Sequence, residues 1–324
     1  MNNSSVTTCV VDEQFLTIMM PPTLTIIFIL AASFNGLALW IFCFHVKKKT
    51  PMDILMLNLC VGDLLFSLTY PLVITYHSND NHWIFGNFMC KLQIFFMYSI
   101  LMASVFFLTC ISNYRCYMII KPIQSKNRIT KKCTIILSVL IWLLAGGLMS
   151  TSFFRVNLFE MKGKLHCITF NQLNLQKKLQ SSTALLFVLS FVIPFGSLLV
   201  STLLIQRKLA NSALTPQSQR GKRAIKMIIV VLCIFIICFL PVNVTRLVLS
   251  TVDHKNCALL QKVVVVYYSC ILGLYLNNVL DPIVYFYAGT KYRSKLINTI
   301  KGSALCNKLP IASRSNHSDS ESKL

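Results

Sequence analysis

Four ionisable side chains stand in stretches that are otherwise apolar. Asp63 lies in Leu57-Asn-Leu-Cys-Val-Gly-Asp-Leu-Leu-Phe, and Asp281 in Leu276-Asn-Asn-Val-Leu-Asp-Pro-Ile-Val-Tyr. Arg115 follows Phe107-Leu-Thr-Cys-Ile-Ser-Asn-Tyr, and Arg246 follows Pro241-Val-Asn-Val-Thr. A carboxylate in the middle of a bilayer span costs about 3 kcal/mol, so it must face other polar groups. Asp63 and Asp281, with Ser104 and Asn277, could hold a sodium ion. They could equally be interhelical hydrogen-bond glue together with Asn35, Asn58 and Asn278. An arginine at the end of an apolar run either snorkels to the headgroups or has a task; Arg115 reads as a switch rather than an anchor. No metal-ligand spacing, nucleotide-binding glycine loop or nucleophile–base pair is found, so no catalytic or metal residue is assigned and an enzyme is not expected.

The elements that must position these groups are membrane spans. Hydrophobic residues make up 55% of the 324 and charged residues 13%, about half the share in soluble domains. A spanning helix needs roughly 20 apolar residues. Seven runs qualify, near 23–45, 53–76, 90–116, 133–153, 181–206, 224–249 and 261–287. The fold class expected is an all-α seven-helix membrane bundle. It divides into an outer N-terminus (1–22), the bundle (23–288) and an inner tail (289–324). The net charge of +21 does not signal nucleic acid, because the basic residues sit in clusters between the apolar runs. Lys47 to Lys49, Lys121 to Lys132, Arg207 to Lys226 and Lys291 to Lys301 mark the inner side, which puts the N-terminus outside. The leader is polar with no basic segment, so a cleavable signal peptide is not expected.

Of 13 cysteines, Cys9, Cys90, Cys167 and Cys257 fall in outer segments. Two disulfides are expected there, and spacing leaves all three pairings open. Asn2 and Asn3 begin outer glycosylation sequons. Cys306 on the inner side is a palmitoylation candidate. Pro122, Pro194, Pro241 and Pro282 lie in or near span interiors, where a proline frees a carbonyl and permits a kink.

Taken in order, these residues resemble the rhodopsin-like G-protein-coupled receptors. The match runs through Asn35-Gly36, Leu59 to Asp63, Cys90, Arg115, Trp142, Pro194, Cys238-Phe-Leu-Pro241 and Asp281-Pro-Ile-Val-Tyr285. The resemblance implies a Cys90–Cys167 disulfide, leaves Cys9 and Cys257 as the second pair, and implies an amphipathic helix near Tyr292 to Ile300. It makes Arg115, Phe239, Asp281, Pro282 and Tyr285 the switch residues that reach a heterotrimeric G protein. Phe239 stands where the family usually has tryptophan.

A narrower resemblance is to the hydroxycarboxylic acid and oxoeicosanoid (hydroxy-fatty-acid) receptors. Asn35-Gly-Leu-Ala-Leu-Trp-Ile-Phe-Cys-Phe-His45, Lys222-Arg-Ala-Ile, Ile237-Cys-Phe-Leu-Pro and Tyr275-Leu-Asn-Asn carry it. It implies a small anionic ligand, a carboxylic acid. Arg246 lies about 1.4 turns outward of Pro241 and matches a basic position of that group; a guanidinium can bind a carboxylate through two hydrogen bonds. Snorkelling is the plainer reading of the same residue. Leu101 stands where the group carries a second arginine, so small acids are disfavoured. A larger acid, with its tail against Tyr98 and Leu101, is expected. Tyr275 matches a tyrosine of that pocket. Arg155, Lys162, Lys164, Lys177, Lys178 and Lys262 add positive potential at the mouth.

The resemblance favours inhibitory G protein, with arrestin and receptor kinases acting on the serine-rich tail from Ser313 to Ser322. The basic inner loops can also contact anionic membrane lipids. The alternatives are a purinergic-like nucleotide receptor, whose usual span-six histidine falls at Asn243, and a constitutively active receptor. The latter follows from Tyr114, which replaces the acid that normally restrains the arginine after it; Cys116 also departs from the family. Raised basal signalling is therefore expected. Tyr114→Asp should lower ligand-free signalling at equal surface expression, and an unchanged basal signal would count against the restraint.

Overall fold

The computed structural model describes residues 11–161, 163–167, 187–210, 216–252, 256–288 and 292–299. Seven helices among them are long and apolar enough to cross a membrane: Phe15–His45, Pro51–Ser78, Gly86–Ile120, Lys131–Thr151, Val188–Ala210, Gly221–Leu249 and Cys257–Tyr287. They are called spans one to seven. Outside them, Pro122–Arg128 forms a short inner helix. A two-stranded antiparallel hairpin pairs β1 (Phe159–Met161) with β2 (Lys164–His166). A further helix covers 292–299.

Two expectations about prolines change. Span one begins at Phe15 rather than near 23, with Pro21 and Pro22 inside the helix. The N-terminal boundary at 22 therefore cuts a helix. Thr17, Thr23 and Thr25 donate back to the carbonyls of Gln14, Met19 and Pro21. Pro122 is not in a span interior; it opens the short inner helix, the position where a missing N–H costs nothing. Pro194 and Pro241 each follow a wide π-helical turn, Val188–Val192 and Phe235–Phe239. Span two starts on a reciprocal cap, with the Thr50 hydroxyl accepting from Asp53 N–H and the Asp53 carboxylate accepting from Thr50 N–H.

Without a hydrophobic drive between helices in lipid, small residues and polar side chains set the packing. At Gly62 an added Cβ would lie 3.3 Å from the Trp142 ring, so the indole covers this glycine. Its Nε1 donates to Asn58 at 3.1 Å, joining spans two and four. Asn113 exchanges hydrogen bonds with Ser197 and accepts from Ser201, joining spans three and five. The outward face of span four, including Ile136, Leu140 and Leu143, is exposed, as a lipid-facing stripe must be.

Span seven comes close to the span-six backbone at Gly273. A Cβ there would sit 3.4 Å from the Cys238 carbonyl and 3.5 Å from that of Ile237. Gly273→Ala places a methyl at ordinary contact distance and should be tolerated. Gly273→Leu should force the two spans apart at a cost of about 1–3 kcal/mol. That cost is read as a lower melting temperature and reduced surface expression relative to Gly273→Ala.

Candidate functional site

The outer half of the bundle encloses a cavity lined by Phe66, Met97, Tyr98, Leu101, Arg246, Tyr267, Ile271, Leu274 and Tyr275. Four of the five residues expected at a ligand site, Arg246, Tyr98, Leu101 and Tyr275, thus meet on one void. The fifth, Arg155, ends the helix Lys131–Arg155, and its side chain lies outside the described atoms. The free volume is about 20 Å³ on a measure by which one water needs about 10–15 Å³. The cavity is therefore nearly closed by its own aromatic rings.

Arg246 is half-buried and is the only cation lining this cavity among the described residues. No described carboxylate lines it. The guanidinium instead meets the phenols of Tyr267 and Tyr98, with Tyr267 its hydrogen-bond partner. The wall opposite is apolar. Phe66 stacks on Tyr275 with ring centroids 5.5 Å apart, and the Tyr275 hydroxyl meets the Met97 sulfur at 3.5 Å. Tyr267, Ile271 and Leu274 were not singled out from the sequence. Their signal was present, since 267, 271, 274 and 275 repeat at helical spacing and share the face that carries Tyr275.

Below the cavity lies a buried polar cluster. Tyr285 donates to Asp63 at 2.7 Å. Ser104 donates to Asp281 at 3.2 Å, and Asn277 donates to the same oxygen at 3.1 Å. Asn278 donates to the Asp63 carbonyl, the Ser67 hydroxyl and the Tyr70 hydroxyl. Asn35 donates to the Asn278 carbonyl at 2.9 Å. The two carboxyl groups face each other. One oxygen of Asp281 and the amide oxygen of Asn277 are buried without a hydrogen-bond partner. Tyr70 reaches upward as well, donating to the Tyr275 carbonyl at 3.3 Å. Cluster and cavity therefore share a wall.

At the inner end, Arg115 is half-buried and its Nε has no hydrogen-bond partner. Its electrostatic neighbours are Tyr114 and Asp53. Asp53, which the sequence did not mark, is already engaged by Thr50. Phe239 is buried against Phe235, and Asn243 spends its amide on the Phe239 carbonyl at 2.8 Å. Pro282 sits inside the continuous helix Cys257–Ala288.

On the outer side, Tyr98 of the cavity packs against the buried cluster that holds Cys90 and Cys167. Cys90 and Cys167 form a disulfide that ties the hairpin to the top of span three. Cys257 is also disulfide-bonded, while Cys9, its expected partner, lies outside the described residues. So do Asn2, Asn3, Lys162, Lys177, Lys178, Cys306 and the serine-rich tail.

The sequence profile described as "7 transmembrane receptor (rhodopsin family)" matches residues 34–285. Human hydroxycarboxylic acid receptor 3 is 31% identical over 298 residues, covering 90% of this chain and 76% of the relative. Human hydroxycarboxylic acid receptor 2 is 31% identical over 297 residues, covering 90% and 80%. A human purinoceptor is 32% identical over 290 residues, covering 86% and 76%. With seven membrane-spanning helices, a polar cluster tying them together and this profile across the bundle, the chain belongs to the rhodopsin family of seven-transmembrane, G-protein-coupled receptors, as a multi-pass plasma-membrane receptor and not an enzyme.

Proposed function

We propose that this receptor detects an extracellular carboxylic acid with an apolar tail and couples to inhibitory G protein, lowering cyclic AMP. The observation that carries this reading is Arg246, a single half-buried guanidinium in an aromatic and aliphatic cavity that no described carboxylate lines. A lone cation of this kind matches one carboxylate, bound through two hydrogen bonds. Leu101, Met97, Ile271 and Leu274 suit a hydrocarbon tail. The named ligand class of the hydroxycarboxylic acid relatives agrees.

The nucleotide reading rests on the purinoceptor relative. It fits this cavity less well. A di- or triphosphate carries several charges and needs several cations, and Asn243 is committed to the Phe239 backbone. The Arg115 end supports raised basal activity, because Tyr114 offers no carboxylate and Asp53 is held by Thr50.

The polar cluster fits a sodium ion in its donor chemistry. Asp63, Asp281, Ser104 and Asn277 supply oxygen ligands, and the two orphaned acceptors are of the kind a hard cation satisfies. A sodium ion held by these residues would supply positive charge to offset the two carboxyl groups. Agonist then shifts a pre-existing equilibrium. Displacement of Tyr275 bears on Tyr70, which bonds both the Tyr275 carbonyl and Asn278. Arrestin and receptor kinases act on the tail, and the basic inner face meets anionic lipid.

Cyclic AMP inhibition against short hydroxy acids, oxidised fatty acids and nucleotides tests the ligand class. An oxidised fatty acid should respond, and Arg246→Ala should reduce its potency roughly 100-fold at equal surface expression. A nucleotide response surviving in Arg246→Ala would overturn the reading. Tyr267→Phe removes the phenol that competes for Arg246, so acid potency should rise by roughly three- to tenfold. A fall instead would make that phenol part of the ligand's own site.

A further inference from the structure

The outer hairpin is clasped to the end of span two and the first outer loop by three consecutive residues. Lys164 Nζ lies 3.6 Å from the Asp80 carboxylate and donates to the Asp80 carbonyl at 3.4 Å. Leu165 is held through both backbone groups: its carbonyl accepts from Trp83 N–H at 2.7 Å, and its N–H donates to His82 Nδ1 at 3.1 Å. His166 Nδ1 meets the Tyr76 hydroxyl at 3.2 Å. The next residue is Cys167, bonded to Cys90. Tyr76, Trp83, Cys90, Ile94 and Cys167 form one buried cluster, and Tyr98 of the cavity packs against it.

Imidazole chemistry makes this clasp conditional. A nitrogen that accepts from a backbone N–H must carry no proton. Protonated His82 would present N–H to N–H at Leu165, and the bond would be lost. His166 differs, because the Tyr76 hydroxyl can donate or accept; its protonation keeps that contact but places a charge in a site that is 6% exposed and faces Lys164. The charged groups facing the pair are Lys164 and Asp80; each histidine also faces the other. On span two, His77 bonds Asn81, whose amide donates to the Glu13 carbonyl, so it is turned to the N-terminal segment and not to the hairpin. Glu160 pairs with Leu165 across the hairpin and is exposed.

We infer that this clasp is a proton-responsive latch, so that extracellular acid releases the β1–β2 hairpin from the first outer loop and loosens the packing on Tyr98 of the Arg246 cavity. The sign agrees with burial of His166, which with Lys164 lowers its affinity for a proton below the ordinary value. The docked hairpin then binds fewer protons than the undocked one. Its stability is complete above the ordinary histidine value of about 6.5 and declines as pH falls through it toward the lower docked value. The inference stands on the outer loops alone and holds whatever ligand the cavity takes.

Amide hydrogen exchange of the full-length receptor in lipid nanodiscs, corrected for the intrinsic pH dependence of exchange, tests it directly at pH 7.4 and 5.5. Protection across 159–166 should fall roughly tenfold at pH 5.5 in the unmodified receptor. Asparagine keeps an acceptor oxygen near the Nδ1 position and does not titrate. The double variant His82→Asn, His166→Asn should hold its protection at both pH values. Equal protection of the unmodified receptor at both, or an equal loss in the double variant, would overturn the latch. If the double variant is unprotected already at pH 7.4, His82→Asn alone decides: half the acid sensitivity or less supports the latch, and undiminished sensitivity refutes it.

Discussion

A charged or polar group in hydrocarbon must find a partner inside the protein, and this constraint organises the receptor. Asp63, Asp281, Asn35, Asn277, Asn278, Ser104 and Tyr285 come from spans one, two, three and seven and satisfy one another at the bundle centre. Apolar packing in lipid offers no comparable selectivity, because a leucine gains little by leaving lipid for a neighbouring helix. The polar cluster fixes which helices meet and at what depth. Its position under the aromatic cavity follows from Tyr70, whose hydroxyl belongs to both.

Arg246 is the counterpart of that cluster in the outer half. The inner carboxyl groups meet hydroxyl and amide donors, while among the described residues the partners of this guanidinium are the phenols of Tyr267 and Tyr98. Phenols are weaker partners than a carboxylate, since charge-assisted pairs are roughly twice as strong. The cavity is thus closed by a contact that an anionic ligand can outcompete. Under the proposed function, opening it would separate the guanidinium from Tyr267, on spans six and seven, which also come close together at Gly273 beside the Pro241 turn.

Much of this was legible in the sequence. Hydropathy gave seven spans, lysine and arginine gave their direction, and the costly polar residues gave the centre of the bundle. Arg246, Tyr98, Leu101 and Tyr275 meet as expected, because each lies on a helix whose period places it inward. Other features were hidden for definite reasons. The apolar run near 23 suggested a late start to span one, but the helix begins at Phe15 and includes Pro21 and Pro22. Tyr267 was overlooked although its spacing matched. The clasp of Lys164, Leu165 and His166 on Asp80, His82, Trp83 and Tyr76 joins residues more than 80 positions apart, and at Leu165 it uses backbone groups, which leave no trace in residue type.

The central claim is that a ligand carboxylate takes the Arg246 guanidinium. The most direct measurement compares an active fatty acid with its own methyl ester in competition binding to purified receptor. The ester keeps the tail and removes the charge. Affinity for the ester is expected to fall roughly 100-fold or more in the unmodified receptor, with no difference between acid and ester in Arg246→Ala. Equal binding of acid and ester to the unmodified receptor would contradict the claim.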